Sequence, residues 1–109
     1  MPIILVIDDN RAVCTALELL FGLRDWRTVT ALSPQEGLRR LASERVDLVV
    51  QDMNFTEDTT SGEEGVALFR AIREIHPDLP VILLTAWTHL ESAVELVKAG
   101  AADYLAKPW

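Results

Sequence analysis

Five polar side chains of complementary type stand where short apolar runs of the sequence end. They are Asp8, Asp9, Asp52, Thr85 and Lys107. If the runs are parallel strands of one sheet, these groups gather at one edge, where open α/β sheets bind ligands. Three carboxylates, one hydroxyl and one ammonium group together suit a divalent cation and a phosphoryl group.

The three carboxylates determine which cation we expect. Asp8, Asp9 and Asp52 repel one another if they converge, so they must share protons or bind a cation. A set of hard oxygen ligands with room for water favours Mg²⁺. Soft ligands at metal-binding spacing are missing, because Cys14 is the only cysteine.

Five strands are predicted to alternate with four helices. The strands are expected at Ile3–Ile7, around Thr28–Ala31, at Val46–Val50, at Val81–Leu84 and around Tyr104–Leu105. The helices are marked by the apolar sets Val13/Leu17/Leu20, Leu38/Leu41, Val66/Phe69/Ile72/Ile75 and Leu90/Val94/Val97. Asn10 and Ser33 are the predicted N-caps of the first two helices. Strands that alternate with helices pair in parallel through right-handed crossovers, so the pattern predicts an open α/β sheet.

Composition limits the class of protein. A chain of 109 residues with 50% hydrophobic residues is sufficient for one packed domain, residues 1–109. The net charge of −7 disfavours direct binding to a nucleic-acid backbone. A single cysteine allows no internal disulfide, and no run of 18 apolar residues occurs, so we expect a cytoplasmic protein without a membrane span.

Four segments, taken in order, resemble one family. ILVIDDN, LVVQD, PDLPVILLTA and AGAADYLAKP together are similar to the receiver domain of bacterial two-component response regulators, over the whole chain. The pattern also resembles receivers of enhancer-binding transcriptional activators. The resemblance implies a flavodoxin-like, doubly wound sheet of five parallel strands in the order 2-1-3-4-5, which is the strand order of receivers.

The resemblance also implies a phosphorylation switch. Asp52 would attack a phosphohistidine or a small acyl phosphate and become an aspartyl phosphate. Asp8 and Asp9 would hold Mg²⁺ together with Asp52 and the backbone carbonyl of Asn54. Lys107 would be the counter-ion of Asp52 and of the phosphoryl group.

A second set of residues would transmit the signal. Thr85 would be drawn towards the phosphoryl group, and Tyr104 would be the aromatic side chain that turns inward in response. The bond before Pro108 would be cis and would orient Lys107. The implied partners are a sensor histidine kinase or histidine phosphotransfer protein and an output domain that regulates transcription.

The chain departs from the family at two places. The segment DMNFTEDTTSGEEG is longer than its counterpart, and it is either a lid or partner surface beside Asp52 or a solvated loop. A fifth helix after Pro108 is missing, so we interpret the chain as a receiver truncated before that helix and without its output domain. The uncovered apolar strip predicts self-association, with Trp109 in the contact.

Other functions compete with this interpretation. Asp9 or Asn10 could simply cap the first helix, Thr85 could cap the last one, and Lys107 could be a surface residue. The joint placement of Asp8, Asp9, Asp52, Thr85 and Lys107 at one edge disfavours such a purely structural role for the set. The main alternative is a receiver that is not phosphorylated and serves as a binding scaffold. A phosphatase with an aspartate nucleophile is disfavoured because Asn54 stands where its general acid would be. We therefore expect no external substrate.

Overall fold

The computed structural model describes residues 2–53, 63–86 and 90–107, and all structural statements below refer to these ranges. Nine elements alternate regularly along the chain. They are β1 (Ile3–Ile7), α1 (Arg11–Gly22), β2 (Arg27–Ala31), α2 (Pro34–Ser43), β3 (Leu48–Asp52), α3 (Glu63–Ile75), β4 (Val81–Ala86), α4 (Leu90–Lys98) and β5 (Asp103–Lys107).

The five strands form one parallel sheet in the order β2-β1-β3-β4-β5. The predicted architecture and strand order are confirmed. Ile7 pairs with Gln51 of β3, and Asp52 in turn pairs with Leu84 of β4. The carboxyl ends of the central strands β1, β3 and β4 therefore lie side by side at one edge.

Two apolar clusters cover the two faces of the sheet. The larger cluster packs α2, α3 and α4 against one face and includes Leu41, Phe69 and Leu96. The smaller cluster packs α1 against the other face through Cys14 and Leu17. Cys14 is buried in this cluster as a small core residue.

Local sequence signals explain how two helices begin. The Asn10 side chain accepts hydrogen bonds from the backbone of Ala12 at 2.9 Å and Val13 at 3.4 Å, so it is the predicted N-cap of α1. Ser33 accepts a hydrogen bond from the Glu36 backbone at 3.1 Å and caps α2 in the same way. Both predicted caps are confirmed.

The predicted start of β3 was wrong. The strand begins at Leu48 rather than Val46. Asp47, just before it, forms two hydrogen bonds with Ile3 at the edge of the sheet opposite the aspartate cluster. Its backbone N–H donates to the Ile3 carbonyl at 2.8 Å, and its carboxylate accepts from the Ile3 N–H, also at 2.8 Å. The strand also extends through Asp52, so this aspartate lies within the ladder.

Three of the predicted helix stripes were also partly wrong. Leu20 of α1 is 51% exposed, and Val94 of α4 and Ile75 of α3 are exposed as well. In α4 the buried residue is Leu96, which the spacing had not selected. In α1, α3 and α4 the buried stripe is therefore narrower than the apolar content of the helix suggests. None of the helices in the described ranges combines the length and apolar character that a membrane span requires.

Candidate functional site

The aspartate cluster forms where β1 and β3 end next to each other. One carboxylate oxygen from each of Asp8, Asp9 and Asp52 lies within 4.8 Å of the other two. Asp8 and Asp52 are buried, whereas Asp9 is exposed. The structure thus brings together the three carboxylates that the sequence predicted to converge, with one side open to solvent.

Backbone contacts hold the two buried carboxylates in place. The Asp8 N–H donates to the Ala31 carbonyl at 3.0 Å, which continues the pairing of β1 with β2. The Asp8 carboxylate accepts a hydrogen bond from the Asn10 N–H at 2.8 Å. Past Asp52, the Met53 N–H donates to the Leu84 carbonyl at 2.9 Å, so the Asp52 backbone is held by β4 on both sides.

The donor set fits a hard divalent cation. Three carboxylates close together in a partly buried site repel one another, and a cation removes that repulsion. Because Mg²⁺–oxygen distances are about 2.1 Å, opposite ligands of one ion lie about 4.2 Å apart. The three oxygens are therefore close enough to share one ion, directly or through one of its waters. The open side at Asp9 leaves room for water or phosphate oxygens.

Thr85 lies at the same edge, one strand farther along the sheet. It is fully buried near the end of β4 and pairs with Ala106 of β5. The strand therefore extends past the predicted end at Leu84. Thr85 therefore lies near the carboxyl end of β4, and its role at the site stays a prediction.

The structure describes only some of the other predicted site residues. Lys107 is the last residue of β5, with its backbone opposite Ala86, and its side chain lies outside the described residues. Tyr104 is half-buried and packs against the larger cluster. Asn54, Pro108 and most of the enlarged segment also lie outside the described residues, so their roles remain predictions.

One buried polar residue beside the cluster was not among the predicted site residues. Gln51 lies in β3 immediately before Asp52 and is fully buried. Its side-chain amide donates to the Gly65 carbonyl at 2.9 Å. The sequence signal was an amide inside an otherwise apolar strand, directly before the aspartate.

Comparisons with known proteins all match one family. The model of the response regulator receiver domain matches residues 4–109. The transcriptional regulatory protein ZraR of Escherichia coli K12 is 38% identical over 107 residues, which are 96% of this chain and 23% of ZraR. The chain thus spans less than a quarter of that relative.

Solved structures agree with this match. A response regulator receiver domain protein from Clostridium thermocellum is 32% identical, with a TM-score of 0.87 over 100% of this chain and 84% of that one. The response regulator TrrA from Thermotoga maritima, solved in complex with Mg²⁺-BeF, is 28% identical, with a TM-score of 0.82 over 100% and 89% of the two chains.

Proposed function

The chain belongs to the response regulator receiver domain family of two-component signalling, and on that premise we propose that Asp52 is its phosphoacceptor. The observation that carries this proposal is the cluster of Asp8, Asp9 and Asp52 within 4.8 Å at the sheet edge. Of the three, Asp52 lies on the central strand β3, between the acidic pair after β1 and Thr85 on β4.

The proposed reaction transfers a phosphoryl group to Asp52. A carboxylate oxygen of Asp52 forms a bond to phosphorus, while the bond from phosphorus to the donor's nitrogen or oxygen breaks and the donor keeps the electron pair. Asp8, Asp9 and the Asn54 carbonyl would hold Mg²⁺ together with Asp52. A Mg²⁺ site is supported by the similar TrrA, which was solved in complex with Mg²⁺-BeF. The ion would supply positive charge beside the phosphoryl oxygens.

Three further residues would respond to the new charge. Lys107, at the end of β5, would pair with Asp52 before transfer and with a phosphoryl oxygen afterwards. The Thr85 hydroxyl would move towards the phosphoryl group, and the half-buried Tyr104 ring would turn further inward. The face formed by α4 and β5 would change shape as a result.

The proposed partners follow from this chemistry. A sensor histidine kinase or a histidine phosphotransfer protein would donate the phosphoryl group in the cytoplasm, and an output domain would be regulated through the α4–β5 face. The relatives that span four times this length are transcriptional regulators, which supports an output in transcription. The phosphoryl group would leave by hydrolysis at Asp52, without an external substrate.

We also propose that this chain self-associates through the α1 face of the sheet. Leu20 of α1 is 51% exposed, and Leu105 of β5 is 46% exposed. Large apolar side chains that are exposed to solvent favour association between copies. Light scattering at increasing protein concentration should show dimers or larger species, and a strictly monomeric chain would contradict this proposal.

Phosphorylation of the chain by a small donor tests the function. Incubation with acetyl phosphate and Mg²⁺ should add the mass of one phosphoryl group, and Asp52→Asn should abolish the addition. A folded chain that gains no mass would instead favour the alternative, a receiver that is not phosphorylated and serves as a binding scaffold. The joint presence of Asp8, Asp9, Asp52, Thr85 and Lys107 argues against that alternative, because a scaffold has no chemical need for all five.

A further inference from the structure

Gln51 is a fully buried amide in an apolar environment. It occupies β3 between Ile7 of β1 and Leu83 of β4, both of which are completely buried. Burial of an amide costs free energy unless its polar atoms find hydrogen-bond partners. The contacts of this side chain therefore indicate what it contributes.

The Gln51 amide nitrogen contacts the backbone at both ends of the enlarged segment. It donates to the Gly65 carbonyl at 2.9 Å and to the Asp52 carbonyl at 3.3 Å. The Met53 sulfur, a weak acceptor, lies 3.9 Å away. Because all three neighbours are acceptors, the nitrogen rather than the oxygen must face them.

The oxygen of the Gln51 amide lacks the hydrogen bonds that its nitrogen makes. The Gln51 Oε1 atom is buried and has no hydrogen-bond donor among the residues that the structure describes. An apolar side chain of similar size would avoid this cost. Stability of the fold alone therefore does not explain a glutamine at this position.

The first turn of α3 is also in direct contact with the backbone after Asp52. A β-carbon on Gly65 would lie 2.5 Å from the Met53 Cα and from the Met53 carbonyl oxygen. The Gln51 hydrogen bonds to the carbonyls of Asp52 and Gly65 link the same two segments. Together they join the end of β3 to the start of α3.

We propose that Gln51 is a positioning residue for phosphoryl transfer. Its amide holds the Asp52 main chain against α3 and so keeps the Asp52 carboxylate in register with Asp8 and Asp9. The inference rests on the proposed function of Asp52. Small displacements of a reacting group are costly, since a shift of about 1 Å can slow a reaction about 100-fold.

The substitution Gln51→Met removes the amide and keeps a side chain of similar length. We expect the dissociation constant for Mg²⁺ to rise at least about fivefold and the rate of phosphorylation by acetyl phosphate, at saturating Mg²⁺, to fall at least about tenfold. The thermal midpoint should stay the same or rise, because the unsatisfied oxygen is removed.

A matched control is Thr28→Val in the edge strand β2. The Thr28 hydroxyl is also buried without a hydrogen-bond partner among the described residues, but it lies away from Asp52. Thr28→Val should leave the Mg²⁺ affinity and the phosphorylation rate within twofold of the original chain. The proposal is overturned if folded Gln51→Met also stays within twofold on both measurements.

If Gln51→Met does not fold, side-chain NMR of the original chain tests the positioning role of Gln51. The chain has only two glutamines, and the other, Gln35, is exposed more than Gln51. The Gln51 side-chain amide protons should exchange more slowly than those of Gln35 and should shift on Mg²⁺ addition with the same midpoint as the Asp52 backbone amide. Equal exchange, or a shift of Asp52 without one of Gln51, would overturn the positioning role.

These measurements separate the two proposals. If the original chain binds Mg²⁺ but gains no phosphoryl group, the function proposed for Asp52 fails. The Mg²⁺ affinities and amide shifts then still show whether Gln51 positions the Asp52 carboxylate. If the original chain is phosphorylated and Gln51→Met behaves like it, only the positioning role fails.

Discussion

The backbone N–H of Asn10 donates a hydrogen bond to the Asp8 carboxylate at 2.8 Å, while the Asn10 side chain caps α1. The turn after β1 thus ties the start of a helix to one carboxylate of the aspartate cluster. The two bonds use different atoms of Asn10, the backbone nitrogen and the side-chain oxygen. Their contributions can therefore be separated by substitution.

Asn10→Ala should lower stability without weakening the metal site. The variant loses the cap, which costs about 1 kcal/mol of unfolding free energy, but keeps the N–H that donates to Asp8. Urea denaturation should show that loss, and Mg²⁺ affinity should stay within twofold. Ser33→Ala, which removes the cap of α2 far from the cluster, is the control for stability. A large loss of Mg²⁺ affinity in Asn10→Ala would show that the side chain itself supports the site.

Gly65→Ala should disrupt the junction between β3 and α3. The added β-carbon would collide with the Met53 backbone at 2.5 Å, and backbone cannot move aside as a flexible side chain can. Overpacking of this kind costs about 1–3 kcal/mol. Chemical denaturation should detect the loss, together with slower phosphorylation by acetyl phosphate.

The control for that substitution is Gly22→Ala at the end of α1. A β-carbon there would have no atom within 4 Å, and alanine favours helix over glycine by about 0.5–1 kcal/mol. Gly22→Ala should therefore be neutral or stabilising. Equal effects of the two substitutions would show that the contact between Gly65 and Met53 does not constrain the fold.

Arg73→Lys should be destabilising although the charge is kept. The guanidinium donates to the carbonyls of His76 and Leu79 after α3 and to that of Gly100 after α4, the last at 2.9 Å, and it lies over the Phe69 ring. A lysine ammonium cannot reproduce this planar set of contacts. We expect a loss of about 1–3 kcal/mol by thermal or urea denaturation.

Arg70→Lys is the control, because Arg70 is exposed on the same helix. It should change the unfolding free energy by less than about 0.5 kcal/mol. If Arg73→Lys is equally mild, the three carbonyl contacts contribute little to stability.

Asp47 should make stability depend on pH in the acidic range. The hydrogen bond from the Ile3 backbone N–H lowers the pKa of this carboxylate below its ordinary value of 3.8, with a smaller contribution from Arg45. A lowered pKa in the folded state means that the stabilisation is complete above the unfolded pKa and is lost as the pH falls through the folded pKa. Protonation of Asp47 would thus favour unfolding.

Asp47→Asn tests this dependence. Urea midpoints of the original chain and the variant should differ at pH 6 and converge as the pH falls below 3.8. Asp103→Asn, at the start of β5, controls for the loss of one negative charge. A difference that is constant across the pH range would show that Asp47 does not act through its ionisation.

The sequence was informative wherever structure follows from neighbouring residues. The five strands, the four helices and the caps at Asn10 and Ser33 follow from local apolar periodicity and capping chemistry. The convergence of Asp8, Asp9 and Asp52 follows from parallel strands that end at one edge. The fold and the acidic cluster could therefore be predicted without coordinates.

Contacts between distant residues could not be predicted in this way. β3 begins later than expected because Asp47 bonds to Ile3, which is 44 positions away. Gln51 donates a hydrogen bond to Gly65, 14 positions away, whereas its local sequence shows only an amide within an apolar strand. Which apolar residues of α1 remain exposed likewise depends on how the helix lies on the sheet.

Chemical mapping of the acceptor tests the central claim most directly. After incubation with acetyl phosphate and Mg²⁺, borohydride should reduce an aspartyl phosphate to homoserine, and peptide mass spectrometry should locate that residue. We expect homoserine at position 52 only, and none when Mg²⁺ is removed by a chelator. Homoserine at Asp8 or Asp9, or at no position in a chain that binds Mg²⁺, would contradict the assignment of Asp52 as the phosphoacceptor.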